Sequence, residues 1–566
     1  MTARQEPRSG GRKKRWLWIA AVGAVLAIAG YVGLHVIANG QLRKLLPAAV
    51  ATAVGGEDAD RYAVAVDGVR LAPWLSGLTV RGLTVALDTA RAADAEEPAL
   101  IRSASVRSFH VSGIRLIPLI RGEGIFISSI EIDRPRAELY FALQPGEEPR
   151  PEAEATQGAA GAGDGEATGG FEAPPATLER IRIDDASIVM IEDSEIGTAL
   201  SALHGLDLEL TDIRIDVVTA ANPARALANS RVVIAFDSAS HRVEDSLYVI
   251  RTVGLRADSD ESLVSIEDFS VIPTLEAGPF FARLKQRADR IDLTAGPIFI
   301  RGLDFHRYFA EDALYVRSIE VDSLDLHVFA DINIAWGPRA RACRYHNGFA
   351  EIEVPMTIDT IQLVEADILY SELAKGAARP GELTFEDLSG VVVNVTNDRE
   401  KMTHETPAVV DVTGKLFGEA DVHARLAYPL LSPTLDYSLD ASAGSMDMAA
   451  FNTFSRNVVG VEVKKGQLDS LHMSYVADRG QASGRIYMLY RDLDFRIFDR
   501  NRGKEMPWHT VAGFLGNLVV RSNNPGKPGD EPREGTIKYT CSDKDIVFFE
   551  FLVGALGSGM KGIVIG

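Results

Sequence analysis

The sequence has little cysteine, an excess of acidic residues and few of the short motifs that mark common catalytic sites. Cys343 and Cys541 are the only cysteines in 566 residues, which is too few for a disulfide framework and leaves at most one intrachain bridge. The formal net charge of −20 argues against nucleic acid as a partner, because phosphate binding is driven by lysine and arginine. With 46% hydrophobic residues, the chain has ample material for packing and strand pairing.

Signatures of enzyme chemistry and of metal binding are weak or absent. The sequence contains no G-x-S-x-G elbow, no HExxH and no Walker loop. Gly557 to Gly562 match G-x-G-x-x-G, but a dinucleotide site needs that loop between a strand and a helix of a βαβ unit. Cys343 and His346 form only half of a zinc ligand set, and the acidic stretch Asp258 to Glu261 lacks the pattern of a calcium loop. We therefore expect no catalytic residues, no metal and no cofactor.

The N-terminus has the pattern of a membrane anchor. Residues 1–15 carry six basic residues and one acidic residue, a net charge of +5, and predict a cytoplasmic tail. Residues 16–38 form an almost uninterrupted apolar run, long enough to cross a bilayer as one transmembrane helix. The positive-inside rule then places the bulk of the chain on the far side of the membrane. A cleaved signal peptide is the alternative, because Ala27-Ile28-Ala29 fits a cleavage site.

Beyond the anchor, apolar residues alternate with polar ones, as in strands that bury one face. Residues 39–143 are interpreted as a first β repeat unit, residues 177–480 as central repeats and residues 481–566 as a C-terminal region with an apolar tail. Residues 144–176 are rich in Gly, Ala, Pro and Glu, a composition that predicts a disordered loop. The fold class predicted is mostly β, an elongated and repetitive antiparallel sheet with short helices between repeats.

One short phrase occurs four times, beginning at Ile130, Ile181, Ile319 and Ile361. In each copy two apolar residues stand two positions apart, and a third follows five positions after the second. A longer gapless match places the segment from Val111 onto the segment from Ile300, a constant offset of about 189 positions between the two segments. The sequence thus predicts two copies of one unit, each with a short helix between strands.

Several segments resemble the AsmA-like family of bacterial envelope proteins. The segments are GLTVRGLTVAL from Gly77, VRSFHVSGIRLIPLIRGEGIFISSIEIDRPRAEL from Val106, GRIYMLYRDLDFRIFD from Gly484 and NLVVRSNNPGKP from Asn517, together with the closing segment from Arg533. Pro135 matches a proline of the family, whereas the second copy lacks it. The family is similar to bridge-like lipid-transfer proteins, so the resemblance implies a sheet curled into a hydrophobic groove, anchored in the inner membrane and extending into the periplasm.

A groove that holds acyl chains needs a continuous apolar surface, because each exposed methylene costs about 0.8 kcal/mol in water. The predicted lining consists of the apolar positions of the repeated phrases. These positions are Ile130, Ile132, Ala137, Leu139, Phe141, Ile181, Ile183, Ile188, Met190, Ile319, Val321, Leu326, Val328, Ile361, Leu363 and Ile368. Each of them taken alone fits an ordinary protein interior better than a groove, and only the whole set indicates the groove.

The function expected is that of a non-enzymatic, membrane-anchored periplasmic protein that binds phospholipid and transfers or organises it between the inner and outer membranes. Its partners would be phospholipid or another acyl lipid, the inner membrane, and the outer membrane or an envelope protein. Two alternatives stay open. One is a scaffold that recruits outer-membrane proteins through sheet edges, and the other is an envelope hydrolase whose site is assembled from residues distant in sequence.

Overall fold

The computed structural model describes residues 41–51, 60–88, 101–121, 124–141, 176–192, 199–215, 224–243, 247–335, 349, 352–499, 504–505, 520–541 and 548–565. The predicted cytoplasmic tail, the predicted anchor and residues 144–175 of the predicted loop lie outside these residues. None of the described helices is long and apolar enough to cross a membrane. The chain divides into two compact units, Met1–Ala226 and Leu227–Gly566, and it is mostly β, as the alternation predicts.

The first unit contains seven strands and two helices among its described residues. The strands are β1 (Tyr62–Leu71), β2 (Gly77–Leu87), β3 (Ile101–Ser112), β4 (Ile125–Asp133), β5 (Arg136–Phe141), β6 (Ala176–Glu192) and β7 (Ala199–Ile215), and the helices are α1 (residues 41–51) and α2 (Leu116–Arg121). A 3-10 turn, Pro73–Leu75, joins β1 to β2. Strands β1, β2 and β3 pair antiparallel, β4 and β5 both pair with β3, and β6 pairs antiparallel with β7.

The second unit holds the other strands. They are β8 (Arg231–Val243), β9 (Tyr248–Asp258), β10 (Leu263–Ile266), β11 (Asp268–Pro273), β12 (Arg290–Ala295), β13 (Ile298–Arg301), β14 (Leu314–Asp331), β15 (Met356–Leu373), β16 (Gly381–Thr396), β17 (Ala408–Leu416), β18 (Ala420–Tyr428), β19 (Tyr437–Ala443), β20 (Met446–Asp447), β21 (Val461–Asp478), β22 (Gln481–Asp499), β23 (Lys504–Glu505) and β24 (Glu534–Thr540). From β15 onward the order of neighbours is β16, β17, β18, β19, β21, β22 and β24, all antiparallel.

Short helices connect or cover these strands. They are α3 (Ala224–Leu227, which spans the division between the units), α4 (Ala277–Arg283), α5 (Phe305–Glu311), α6 (Asn452–Val458) and α7 (Phe548–Val564), with a 3-10 turn at Met448–Phe451. The short helices expected between repeats are α2 and α5. Both stand between a strand and the beginning of a repeated phrase.

Hydrogen bonds repeat with the same offset as the sequence. The backbone N–H of Ile114 donates to the carbonyl oxygen of Ser76 at 3.0 Å, and that of Leu303 donates to Ser262 at 3.3 Å. One residue further on, Arg115 N–H donates to Phe126 and Asp304 N–H donates to Tyr315, each at 3.0 Å. The two segments of the gapless sequence match therefore share equivalent backbone hydrogen bonds, which agrees with the prediction of two copies of one unit.

A glycine occupies the same strained position in both copies. Gly113 and Gly302 each have φ of +69°, a left-handed conformation that costs other residues energy. A Cβ on Gly113 would lie 2.4 Å from Cβ of Ser128, and one on Gly302 would lie 2.7 Å from Cβ of Arg317. The turn that leads into each phrase therefore needs glycine for its backbone angle and for space.

The repeated phrases pair in parallel, which the alternation did not predict. Strand β6 runs parallel to β4 and β5, and β15 runs parallel to β14. The apolar alternation is the same for both pairing directions, so only the connection distinguishes them. A parallel pair requires a crossover of a dozen or more residues, and the chain between Phe141 and Ala176 and between Asp331 and Met356 is long enough.

Two of the phrases, those in β6 and β15, contain an irregularity that keeps their apolar residues on one face. Side chains five positions apart in a regular strand point to opposite faces. In β15 the pairing with β16 shifts by one residue between Leu363 and Ala366, and in β6 the pairing with β7 shifts between Ile183 and Ala186. A β-bulge places one extra residue in the strand, so that side chains five positions apart point to the same face. The unusual spacing of five is therefore the sequence signature of a bulge.

Candidate functional site

The predicted lining residues of the two halves of each repeat lie side by side. Their registered pairs are Ile130 with Ile181, Ile132 with Ile183, Ala137 with Ile188, Leu139 with Met190, Ile319 with Ile361, Val321 with Leu363 and Leu326 with Ile368. Val328 pairs with Tyr370, and the backbone of Phe141 pairs with Glu192. Side chains directly opposite one another share a face of the sheet, so the structure brings the predicted residues together within each unit.

None of the predicted lining side chains that the structure describes is buried. Ile188 is 39% exposed, and the other fourteen are partly exposed; the side chain of Phe141 lies outside the described set. A residue of an ordinary protein core is largely removed from solvent. These aliphatic side chains thus form an apolar surface that the rest of the protein covers only in part.

In the first unit rows of apolar residues extend across six strands. One row of registered residues consists of Leu71, Leu78, Val111, Ile130, Ile181 and Leu210. A second row consists of Val69, Val80, Phe109, Ile132, Ile183 and Leu208. The row that points the other way is polar and consists of Arg70, Thr79, His110, Glu131, Arg182 and Glu209.

In the second unit one registered row crosses thirteen strands. Its members are Ile234, Ala257, Val264, Ile300, Ile319, Ile361, Val392, Val410, Leu426, Leu439, Tyr475, Gly484 and Ile537. The adjacent row on the opposite face consists of Ala235, Arg256, Ser265, Phe299, Glu320, Gln362, Val391, Asp411, Arg425, Asp440, Ser474, Arg485 and Thr536. We call the first set the apolar row and its side of the sheet the apolar face. The second set is the polar row, and its side of the sheet is the polar face.

The prediction from sequence omitted the continuation of this row beyond β15. Val392, Val410 and Leu426 were not among the predicted residues, although they complete the same surface and are partly exposed. Each lies in a strand with period-two alternation, so the signal was present in the sequence. What was lacking was the register that aligns these strands with the repeated phrases.

Exposure along the apolar row changes abruptly between β18 and β19. From Ile300 to Leu426 every residue of the row is partly exposed, whereas Leu439, Tyr475 and Ile537 are 6%, 2% and 1% exposed. The buried end belongs to a hydrophobic core that also includes Phe551, Ala555 and Ile563 of helix α7. The apolar face is therefore covered by α7 at one end, whereas its apolar row stays partly exposed over β13 to β18.

Helix α7 packs closely on the last strands because glycines line the contact. A Cβ on Gly535 of β24 would lie 2.2 Å from the carbonyl oxygen of Gly559, and a Cβ on Gly554 would lie 2.3 Å from the ring of Tyr539. The G-x-G-x-x-G match lies inside this helix. Of its three glycines, Gly559 allows the helix to approach Ile486 and Ile537 of the sheet, and the helical segment does not form a loop that could hold a phosphate.

A buried ion pair ties α7 to the loop before β12. Arg287 Nη1 lies 2.8 Å from Glu550 Oε1, and the two side chains are 4% and 15% exposed. Nearby on β15, the Tyr370 hydroxyl donates to Glu372 Oε2 at 2.9 Å. Burial raises the pKa of Glu372 and of Asp289, and the neighbouring carboxylates raise that of Glu372 further. The covered end of the apolar face thus has a polar boundary in which carboxylates outnumber the guanidinium group.

The polar face carries one constellation of catalytic residue types. His423 Nε2 lies 2.8 Å from Asp411 Oδ1, and His472 Nε2 lies 3.3 Å from Asp440 Oδ1. Ser442 is in register with both histidines. An open depression of about 420 Å³ beside them is lined by His423 and Ser442. All four ion-pair partners are at least 33% exposed, so these groups lie in a solvated part of the surface.

The other sequence candidates have structural explanations or lie outside the described residues. Arg231 pairs with Asp258 at 3.2 Å and with Asp260 at 2.9 Å, so the acidic stretch is an ion-paired turn. Among the described residues no group of three or more His, Cys, Asp or Glu side chains is arranged to hold a metal ion. Cys343 and His346 are outside the described residues, while Cys541 is disulfide-bonded.

No protein-family model, curated protein or solved structure gives a significant match to this chain. The resemblance to the AsmA-like envelope proteins therefore stays a prediction from the quoted segments.

Proposed function

We propose that the protein is a membrane-anchored envelope protein that binds the acyl chains of phospholipids on its apolar face and so transfers or organises phospholipid between the inner and outer membranes. The observation that carries the proposal is the run of partly exposed aliphatic side chains from Ile300 to Leu426. A soluble surface rarely displays so continuous an apolar area without a partner for it.

The partly exposed stretch of the apolar face is long enough for an acyl chain. Strands β13 to β18 are six neighbours, and five spacings of about 4.8 Å make about 24 Å. The hydrocarbon core of a bilayer is about 30 Å thick, so one chain of a leaflet occupies about 15 Å. A chain laid across these strands would remove its methylenes from water at about 0.8 kcal/mol each, while the headgroup stays solvated at the rim.

Two features support an envelope location. The apolar run of residues 16–38 predicts an anchor with the bulk of the chain exported. The disulfide at Cys541 suits an oxidising compartment such as the bacterial periplasm, because cytosolic thiols are kept reduced. Both features agree with transport or organisation of lipid outside the cytoplasm.

The test is to purify the full chain from cells without added lipid, extract the preparation and measure phospholipid by mass spectrometry. Val321→Asp places a charge among Ile298, Ile319 and Leu363, so bound lipid should fall sharply while the strand content stays. Val476→Asp is the matched control, because Val476 is 54% exposed and lies between Ser438 and Ser483 on the polar face. Lipid-free protein of unchanged melting temperature would favour the scaffold alternative.

The hydrolase alternative has one specific observation in its favour, the alignment of Ser442 with His423 and Asp411 on the polar face. A histidine oriented by a carboxylate can activate a neighbouring hydroxyl. A panel of ester and phosphodiester substrates tests this alternative, with Ser442→Ala as the control. Turnover that is lost in Ser442→Ala would establish the hydrolase, and turnover that is absent or unaffected by the substitution would dismiss this site.

A further inference from the structure

Three large apolar side chains are strongly exposed at one end of the first unit. Trp74 is 76% exposed, Leu75 is 50% exposed and Ile117 is 64% exposed. Trp74 and Leu75 belong to the turn between β1 and β2, and Ile117 belongs to helix α2. We call these three residues the tip.

The tip is held together by backbone hydrogen bonds. The N–H of Ala72 donates to the carbonyl oxygen of Gly77 at 2.8 Å, and the Ser76 hydroxyl donates to Pro73 at 2.8 Å. The N–H of Ile114 donates to Ser76 at 3.0 Å, which joins the turn to the segment that leads into α2. Trp74 and Leu75 have φ of 60° and 55°, so a defined and strained turn presents both side chains to solvent.

The second copy of the repeat shows that this exposure is not required by the fold. Ser262 accepts the hydrogen bond there that Ser76 accepts in the first copy. The turn before Ser262 carries Asp260 and Glu261 where the first copy has Trp74 and Leu75. Asp260 is engaged by Arg231. The same structural position is thus acidic in one copy and apolar in the other.

Basic residues surround the tip although the chain as a whole is acidic. The strand register places Arg70, Thr177 and Arg214 at this end of the sheet, near Arg115 and Arg121. Arg115 is paired with Glu179 at 2.8 Å, and Asp212 is another acid among the described residues of this end. These four arginines outnumber the two described acids by two.

We propose that the tip inserts into the surface of an anionic lipid bilayer. Tryptophan favours the membrane interface because its ring is apolar while its N–H can stay hydrated. Leucine and isoleucine side chains enter the acyl boundary, and arginines attract anionic headgroups at about 1 kcal/mol each. This inference goes beyond the proposed function, since a tip can insert whether or not the apolar face binds acyl chains.

The test uses the full chain reconstituted in vesicles of phosphatidylcholine and phosphatidylglycerol, prepared with plain or with brominated acyl chains. Bromine quenches tryptophan fluorescence at short range. The quenching due to Trp74 is the difference in quenching between the parent protein and Trp74→Phe. Quenching that is smaller in Trp74→Phe than in the parent is the expected result. Equal quenching of the two proteins would overturn the proposal.

Further variants separate insertion of the tip from lipid bound on the apolar face. Leu75→Glu combined with Ile117→Ser should abolish the quenching of Trp74, whereas Tyr308→Ser, at an exposed residue of α5 in the second copy, should leave it unchanged. Ile132→Asp should lower bound lipid and leave the quenching of Trp74 intact. Loss of that quenching in Ile132→Asp, or its persistence in the tip variant, would contradict insertion of the tip.

Discussion

Ile319 of β14 lies in register beside Ile361 of β15 on a parallel strand, as Ile130 lies beside Ile181 in the first unit. The four repeated phrases are therefore two pairs of neighbours. Each pair contributes two adjacent lines of aliphatic side chains to one face of its sheet. In each unit the repeated phrase thus widens the apolar surface on one face of the sheet. A binding site for long hydrocarbon chains requires a wide apolar surface.

The two equivalent glycines should respond alike to substitution. Gly113→Ala and Gly302→Ala should each lower the free energy of unfolding by about 1–2 kcal/mol, because alanine is strained at φ of +69° and its Cβ meets a neighbouring side chain. Chemical denaturation followed by circular dichroism measures the change.

Gly68→Ala is the matched control in the first unit, because a Cβ there has no atom within 4 Å. We expect it to raise the free energy of unfolding by up to about 1 kcal/mol through the unfolded state. A loss of stability in Gly68→Ala as large as that in Gly113→Ala would show that the left-handed turn is not the cause.

The ion pair between Arg287 and Glu550 should hold helix α7 on the sheet. Arg287→Met leaves a buried carboxylate without its cation and should cost about 3–5 kcal/mol. Hydrogen exchange of residues 548–565 should increase with it. Arg287→Met combined with Glu550→Leu should recover part of the loss, and a double variant no more stable than the single one would contradict this role.

The raised pKa of Glu372 predicts a pH-dependent effect of its replacement. Burial lifts the pKa of Glu372 above its ordinary value, so the folded state binds this proton more tightly than the unfolded state. The resulting penalty is absent below the ordinary pKa, develops as the pH rises through the raised pKa and is complete above it. Glu372→Gln should therefore raise the melting temperature at neutral pH and have little effect in acid.

The exposed Glu382 on β16 provides the control for this experiment. Glu382→Gln should leave the melting temperature unchanged throughout the same pH range, since its side chain is solvated. A gain from Glu372→Gln that is equal at neutral and acid pH would show that packing, and not charge, is responsible.

The disulfide at Cys541 should contribute to stability outside the cytoplasm. Alkylation before reduction should leave Cys541 unmodified in a peptide map, and alkylation after reduction should modify it. Cys541→Ser should lower the free energy of unfolding by about 2–4 kcal/mol. Ready alkylation of the native, unreduced protein would show that Cys541 is a free thiol.

The strand-rich fold and the duplication could be predicted because both depend on local sequence. Alternation of apolar residues identified the strands. A gapless match between the segment beginning at Val111 and the segment beginning at Ile300 identified the repeat. The parallel pairing could not be read from alternation, which does not depend on strand direction. The bulge was implied by the five-residue spacing from Leu363 to Ile368, but it was not inferred.

Features that depend on distant contacts were out of reach. The ion pair between Arg287 and Glu550 joins residues 263 positions apart, and nothing in either segment points to the other. The apolar tail did not reveal its partner in the fold, and the structure shows a helix packed on the sheet through Gly559. The face formed by Val392 and its neighbours needed the strand register.

The most direct test of the account compares two adjacent valines of β16 that point to opposite faces. A photoreactive benzoylphenylalanine is introduced at Val392, in the apolar row, or at Val391, which is 39% exposed in the polar row. After irradiation in cells, covalent phospholipid adducts are measured by mass spectrometry of the purified protein. The account predicts lipid adducts at position 392 and none at position 391. Equal labelling at the two positions, or no labelling at 392, would contradict the proposal that the apolar face binds acyl chains.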